Sequence, residues 1–252
     1  MTTDNHYKRG DWIPSNQSLI GKLLRFPLNL IPKGTIVPIL GSAARGKKWI
    51  LGSGAHSQWL GIHEIGKKKV YKKAIKSGSV VYDIGANVGI YTIISSILCG
   101  ETGHVYAFEP VPVNAKYLKK HVELNKLNNV TIVETAVSDV DGYLQFKDDG
   151  DHCTSHISID GEIKVESQTI DSFVFTKKNK PPGYLKIDVE GAEVSVLQGG
   201  KKVLNEYKPE IFLATHGYEL DRACRNLLAQ LNYKVNNLPG SADELYAIPE
   251  LS

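Results

Sequence analysis

The stretch that decides the fold is D-I-G-A-N-V-G, residues 83–89. It joins a β-rich run at 79–84 to residues 88–98, which have helical character. Gly85 permits a tight backbone bend, and Gly89 removes a side chain where a ligand or a neighbouring strand must come close. A strand, a glycine-containing turn and a helix in this order are typical of the ligand-binding turn in α/β sheets.

The rest of the chain continues this alternation. Further strands are predicted at 104–109, 130–137, 184–189 and 211–215, and further helices at 113–127, 191–207 and 219–231. A hairpin-like insert at 143–146 and 155–159 and a short helix or extended link at 169–175 interrupt the pattern. Two strands at 233–238 and 244–248 close the chain. This pattern predicts a largely parallel sheet covered on both faces, with its site at the carboxyl ends of the strands.

Composition limits the classes of protein that remain. The 252 residues suit an α/β domain at 78–252 preceded by an extension at 1–77, where glycines and prolines punctuate short apolar pieces. The net charge of +3 is too small to indicate a nucleic-acid partner. No apolar run reaches the roughly 20 residues that a membrane span needs. Three well-separated cysteines without a C-x-x-C pair favour a reducing compartment, so we expect a cytoplasmic protein.

The glycine spacing distinguishes between two cofactor classes. The motif reads G-x-x-x-G rather than the G-x-G-x-x-G of dinucleotide-binding proteins, which disfavours an NAD-dependent dehydrogenase. Asp83 precedes it inside the strand, where a carboxylate would repel a pyrophosphate but suits the cationic amino-acid end of S-adenosylmethionine. Glu109 ends the second strand, where a carboxylate accepts hydrogen bonds from both ribose hydroxyls. Together these features predict S-adenosylmethionine binding.

Three more motifs accompany this turn: V-Y-A-F-E-P at 105–110, A-V-S-D at 136–139, and L-K-I-D-V-E-G-A-E-V-S-V-L at 185–197. With residues 83–89 they resemble the FkbM-type family of S-adenosylmethionine-dependent methyltransferases over about residues 78–217. The D-V-E-G-A-E block is the most specific piece. The resemblance implies a Rossmann-like class I methyltransferase fold, in which a seven-stranded sheet has an antiparallel last strand. It also implies O-methylation of a hydroxyl, commonly on a sugar or a natural-product scaffold.

The resemblance also implies roles for individual residues. The loop around the methionine moiety would comprise Asp83, Gly85, Asn87 and Gly89; Glu109 would hold the ribose; and Val137, Ser138 and Asp139 would lie beside the adenine. The chain departs from the family at one place. Many members have an acidic residue two positions before the histidine that ends the fifth strand, where this chain has Ala214.

The catalytic candidates lie at the ends of the fourth and fifth strands. Side chains alternate along a strand, so Lys186, Asp188 and Glu190 share one side. Helix capping is the structural alternative for Glu190 and Glu193. His216 ends the fifth strand, and a histidine of ordinary pKa, about 6.5, is mostly neutral at pH 7. We therefore expect His216 to take the proton of an acceptor hydroxyl while Asp188 orients the substrate or the imidazole.

Other interpretations stay open at this point. A divalent metal ion on Asp188, Glu190 and His216 could activate the hydroxyl, but no ligand spacing supports it and it is not favoured. A non-catalytic S-adenosylmethionine-binding module is the competing class. For a small-molecule or carbohydrate acceptor, we expect contacts from Glu190, His156 and Trp59, with residues 10–75 walling the site. The lysine runs, including residues 67–69, are interpreted as solvated faces.

Overall fold

The computed structural model describes residue 28 and the ranges 30–147, 156–157, 161 and 163–250, with only the backbone described at 156–157. The strands are β1 (Ile36–Pro38), β2 (Lys48–Ile50), β3 (Val80–Ile84), β4 (His104–Phe108), β5 (Val130–Val133), β6 (Ala136–Val137), β7 (Gly142–Lys147), β8 (His156–Ile157), β9 (Ile163–Gln168), β10 (Tyr184–Ile187), β11 (Glu210–Ala214), β12 (Tyr233–Asn237) and β13 (Glu244–Pro249). The helices are α1 (His56–Leu60), α2 (Ile65–Ala74), α3 (Ile90–Cys99), α4 (Pro112–Leu124), α5 (Glu193–Gln198), α6 (Lys201–Tyr207) and α7 (Tyr218–Gln230). Within these ranges no helix has both the length and the apolar character that crossing a membrane requires.

The main sheet has seven strands in the order β12-β13-β11-β10-β3-β4-β5. All neighbours from β11 to β5 are parallel, whereas β13 runs antiparallel to both β11 and β12. The predicted sheet with an antiparallel last strand is therefore confirmed. β3 lies at the centre between β10 and β4, so the chain winds outward from it in both directions. The carboxyl end of β3 is consequently the switch point at which such sheets bind ligands.

Both faces of the sheet are buried, because successive side chains of a strand enter opposite layers. Tyr82 and Ile84 pack with Leu197 and other residues of α5, α6 and α7 in one hydrophobic cluster. Val81 packs into a second cluster with Ile93 of α3. The apolar runs of the central strands are thus explained by helices on both sides.

The N-terminal region completes the second cluster. The Trp49 indole stacks on the His121 ring with centroids 4.1 Å apart, and Tyr71 meets Phe212 edge-on at 4.8 Å. Strands β1 and β2 of this region pair antiparallel. The sequence analysis missed the short helix α1 and the helix α2. Burial of Tyr71 against the sheet shows why α2 is stable despite its five lysines.

A second sheet with the order β6-β9-β7-β8 covers one end of the domain. β7 and β8 pair antiparallel, which confirms the predicted hairpin, but β9 was not predicted. The strand predicted at 130–137 is wrong as a single element, because β5 joins the main sheet and β6 joins the second. The single helix predicted at 191–207 is also wrong. At Gly199, a Cβ would lie 2.0 Å from the Ser138 carbonyl oxygen, and the chain divides there into α5 and α6.

Candidate active site

A cavity of about 460 Å³ opens at the carboxyl ends of the central strands. Parallel strands end at the same edge of a sheet, so the loops after β3, β4, β10 and β11 meet there. Residues 84–87, 108–111, 188–190 and 214–216 from these loops line the cavity. The N-terminal region contributes further lining residues, among them His63 and Glu64. The predicted position of the site is the position of this cavity.

The turn after β3 is shaped by its glycines. Gly85 has a φ of 74°, and a Cβ there would lie 1.9 Å from the Asp188 carbonyl oxygen. Gly89 has a φ of 99°, and a Cβ there would lie 2.5 Å from Leu118 Cδ1. Each position therefore combines a left-handed backbone with a close approach that excludes a side chain. The turn can lie tightly against the loop after β10 only because residue 85 is glycine.

Glu109 lines the cavity beside this turn although only 4% of its surface is exposed. The Asn87 N–H donates to its Oε2 at 2.7 Å, and the Val111 N–H donates to its Oε1 at 2.9 Å. Burial raises the pKa of this carboxyl to about 7, against the opposing effect of these hydrogen bonds. The side chain is fixed in place, and when it is ionised its two oxygens can accept hydrogen bonds from a diol in the cavity.

Asp83 does not line the cavity. Its carboxylate is fully buried, accepts a hydrogen bond from the Thr92 hydroxyl at 2.6 Å, and lies 3.3 Å from Lys186 Nζ. Lys186 in turn donates to the Gly85 carbonyl oxygen at 2.7 Å. The sequence analysis expected Asp83 to face a cationic cofactor. The structure instead places it beneath the turn, where its charge is paired with a lysine that holds the turn.

The remaining residues expected near the cofactor divide into two groups. Val137 and Phe146 both line the cavity. Ser138 is buried with its N–H bonded to the Gln168 carbonyl oxygen, and Asp139 is exposed; neither is a lining residue. Of the three residues expected beside the adenine, only Val137 is therefore a lining residue.

Two of the expected acceptor contacts are placed differently or lie outside the description. Trp59 is buried in the N-terminal core, where its indole N–H donates to His56 Nδ1 at 3.0 Å, and it is not a lining residue. The side chain of His156 lies outside the described residues. Glu190, in contrast, lines the cavity directly. Among the described residues of the N-terminal region, Ala55, Gln58, His63 and Glu64 line the cavity, and no tryptophan does.

The catalytic candidates come together around one imidazole ring. His216 Nδ1 lies 2.7 Å from Glu193 Oε1. On the other side of the ring, Nε2 lies 3.2 Å from Glu190 Oε2 and 3.8 Å from Asp188 Oδ1. The hydrogen bond to Glu193 and the three negative charges raise the pKa of His216 to about 9, although burial opposes them. The expectation of a mostly neutral imidazole at pH 7 therefore needs correction: before any ligand binds, the ring is protonated.

Three members of this cluster, Asp188, Glu190 and His216, are the possible metal ligands predicted from the sequence. One ligand atom each from Asp188, Glu190 and His216 lies within 4.8 Å of the others. Their charges are already paired in this arrangement. The imidazolium faces both carboxylates, and Lys186 Nζ lies 3.8 Å from Asp188 Oδ2. These atoms would therefore suit a metal ion, but without one the carboxylates and the imidazolium already neutralise each other's charge.

A buried ionic group beside the cavity was not foreseen. Lys67 Nζ lies 2.6 Å from Glu244 Oε2 and 3.8 Å from Glu64 Oε1, and the Tyr91 hydroxyl donates to Glu64 Oε2 at 2.8 Å. Burial lowers the pKa of Lys67, but the two carboxylates more than reverse this effect and raise it. Lys67 and Lys68 are buried, so the expectation of a solvated lysine face is wrong for both. Glu64 is a local partner three residues before Lys67, whereas Glu244 comes from β13, far away in sequence, and no local pattern indicated it.

Comparison with known protein families shows to which family this chain belongs. A model described as the methyltransferase FkbM domain matches residues 83–235, which is more than half of the chain. The chain belongs to the FkbM methyltransferase family. The motifs at 83–89 and 185–197 lie within the matched residues, so the predicted resemblance to this family is confirmed.

Two methyltransferases are among the relatives of this FkbM-family chain. It is 27% identical to the hexuronic acid methyltransferase AglP of Haloferax volcanii over 48% of this chain and 49% of that one. It is 25% identical to the 2-O-methyltransferase NoeI of Sinorhizobium fredii over 55% of this chain and 65% of that one. The chain thus spans about half the length of the first relative. A Thermotoga maritima S-adenosylmethionine-dependent O-methyltransferase shares the fold, with a TM-score of 0.50 and 13% identity, over 90% of this chain and 82% of that one.

Proposed function

We propose that this FkbM-family methyltransferase transfers the methyl group of S-adenosylmethionine to a hydroxyl of a sugar or natural-product-like small molecule. The observation that carries the proposal is that two different groups of residues line one cavity. Glu109 and the glycine turn follow the adjacent strands β4 and β3 and are called the donor end; the cluster around His216 follows the adjacent strands β10 and β11 and is called the acceptor end. The name of AglP, a hexuronic acid methyltransferase, supports a sugar acceptor, and the name of NoeI, a 2-O-methyltransferase, supports transfer to oxygen.

The donor end suits an adenosine. Glu109 would accept hydrogen bonds from the two ribose hydroxyls, since its carboxylate is oriented by the Asn87 and Val111 N–H groups. Val137 and Phe146 offer an apolar surface for the adenine. Gly85 and Asn87 line the path between β3 and β10, where the methionine portion would lie. A volume of about 460 Å³ falls in the range of small-molecule sites, about 300–1,000 Å³.

The acceptor end would orient a hydroxyl and remove its proton. The sulfonium supplies an activated methyl group, so the protein must hold the acceptor oxygen in line with the methyl–sulfur bond. In this proposal Asp188 orients the hydroxyl, and His216 Nε2 receives the proton as the methyl–sulfur bond breaks, the new C–O bond forms and S-adenosylhomocysteine is left. A sulfonium bound in the same cavity would add a positive charge, which would lower the pKa of His216 and favour loss of its resting proton to solvent.

Substitution of His216 tests the catalytic part of the proposal. His216→Ala should leave the affinity for S-adenosylmethionine near normal and abolish transfer to sugar acceptors, measured as S-adenosylhomocysteine formed. His104→Ala is the matched control, because His104 is the first residue of β4 and lies at the amino ends of the parallel strands, whereas the cavity lies at their carboxyl ends. Unchanged turnover in His216→Ala would remove His216 from the mechanism.

Calorimetry tests the donor part independently. Binding of S-adenosylmethionine and S-adenosylhomocysteine, absence of NAD binding, and weakening of the first two by Glu109→Ala are the expected results. A panel of neutral, amino and acidic sugars then screens for the acceptor. Donor binding without transfer to any hydroxyl compound, and with transfer to amines instead, would overturn the proposed O-methylation.

A further inference from the structure

Glu193 is a fully buried acid near the cavity, for which helix capping was the only role expected from the sequence. Its side chain is fully buried at the first residue of α5. A carboxylate in such a place is costly unless hydrogen bonds satisfy it. The Gly191 N–H and the His216 ring nitrogen Nδ1 both lie within hydrogen-bond distance of Oε1, at 3.0 and 2.7 Å. Both of these hydrogen-bond partners lie outside α5, and one of them, His216, belongs to the catalytic cluster.

The contact at Nδ1 determines which ring nitrogen of His216 is free to accept a proton. A carboxylate only accepts hydrogen bonds, so Nδ1 must carry a hydrogen in this arrangement. A neutral His216 held in this way has its free lone pair on Nε2. That nitrogen is the one that faces Glu190, Asp188 and the cavity. The ring can therefore accept a proton only on the side where an acceptor molecule would lie.

We infer that Glu193 is the positioning residue of this site: it orients His216 and fixes the Nδ1–H tautomer, so that Nε2 is left to receive the acceptor's proton. The inference rests on the proposed function for the use of Nε2, but its geometric part does not need an identified acceptor. Glu193 would act through His216 and would not touch either substrate.

The charges around the ring make the inference specific. Glu193 from α5 faces Nδ1, whereas Glu190 and Asp188 from the loop after β10 face Nε2, and Lys186 of β10 lies beyond Asp188. Every one of these carboxylates favours a protonated ring. Only Glu193 favours a hydrogen on Nδ1 once the ring is neutral. Removing Glu193 and removing Glu190 should therefore have different effects on the tautomer.

Nuclear magnetic resonance of the full chain with labelled histidine tests this difference. His216→Ala assigns the signal, and the ring is titrated with saturating S-adenosylhomocysteine from about pH 6 to about pH 10. The wild type should have an Nδ1–H tautomer when neutral. Glu193→Gln should lower the pKa of His216 by at least about one unit and shift the neutral ring toward Nε2–H, because the remaining carboxylates face that nitrogen. Glu190→Gln, the matched control, should also lower the pKa but keep Nδ1–H.

Kinetics gives a second measurement once an acceptor is found. Glu193→Gln should reduce kcat by about 10²-fold with the KM for S-adenosylmethionine unchanged, and Glu193→Asp should restore part of kcat. An Nε2–H tautomer in the wild type would overturn the inference even if the variant failed to fold. So would an unchanged pKa and tautomer in Glu193→Gln. Failure of the proposed function would instead appear as absence of donor binding or of O-methylation, with the tautomer as inferred.

Discussion

Glu109 should couple binding of S-adenosylmethionine to the loss of a proton. Burial raises the pKa of its carboxyl to about 7, so a large fraction of the ligand-free protein carries a proton there at neutral pH. The two ribose hydroxyls can both donate only to the ionised carboxylate. Binding therefore favours the charged form, and the affinity should increase as the pH rises toward and through 7.

The magnitude follows from the fraction of Glu109 that is ionised. Two pH units below its pKa only about 1% is charged, so the dissociation constant should be about 100-fold larger than its limiting value, or about 2.7 kcal/mol. At the pKa the loss is about twofold, and one unit above it the affinity is nearly constant. Glu109→Gln removes the charge and should lose this dependence. It should also bind more weakly by about 1.5–3 kcal/mol, the usual contribution of a charged hydrogen bond.

Isothermal titration calorimetry between about pH 5 and about pH 8, in buffers of different ionisation enthalpy, measures both the affinity and the protons released. Glu134→Gln controls for the removal of a carboxylate elsewhere, since Glu134 is half-exposed and pairs with Lys119. A wild-type affinity that does not change across this range would refute the reasoning. A slope that persists unchanged in Glu109→Gln would show that another group, such as those around His216, is responsible.

Three further outcomes are expected. Gly85→Ala should lower the free energy of unfolding by about 3 kcal/mol or more, since it combines a positive φ with a clash against the Asp188 carbonyl oxygen; urea unfolding measures this loss. Lys67→Met should cost about 3 kcal/mol in the same assay, because two largely buried carboxylates lose their buried cation. Turnover should persist in EDTA, because the carboxylates around His216 already pair with the imidazolium and a lysine.

Controls separate these effects from general damage. Gly46→Ala has a similar positive φ of 84° but open space around the added methyl, so it reports backbone strain alone. If it costs as much as Gly85→Ala, the clash plays no part. Lys69→Met removes an exposed lysine from the same helix and should be nearly neutral. Loss of turnover in EDTA with recovery in Mg²⁺ would assign the cluster to a cation.

Much of the fold could be predicted because its signals are local. Alternating apolar runs and helical periodicity placed most elements of the main sheet within one or two residues, since burial on both faces requires such runs. The division at Gly199 could not be predicted in this way. Gly199 lies against the Ser138 backbone, which is far away in sequence and comes close only in the folded protein. The same holds for the strand that separates into β5 and β6.

The site shows the same division more sharply. The sequence by itself determined the glycine turn at 83–89, Glu109 at a strand end, and the loops of Asp188 and His216, because strand ends converge in any parallel sheet. Only the tertiary structure decided which partner each side chain has. Asp83 pairs with Lys186 instead of lining the cavity, and Glu193 at the start of α5 contacts the ring of His216 in the loop after β11. Periodicity specifies the face on which a side chain lies, whereas pairing, burial and pKa depend on distances between residues far apart in the chain.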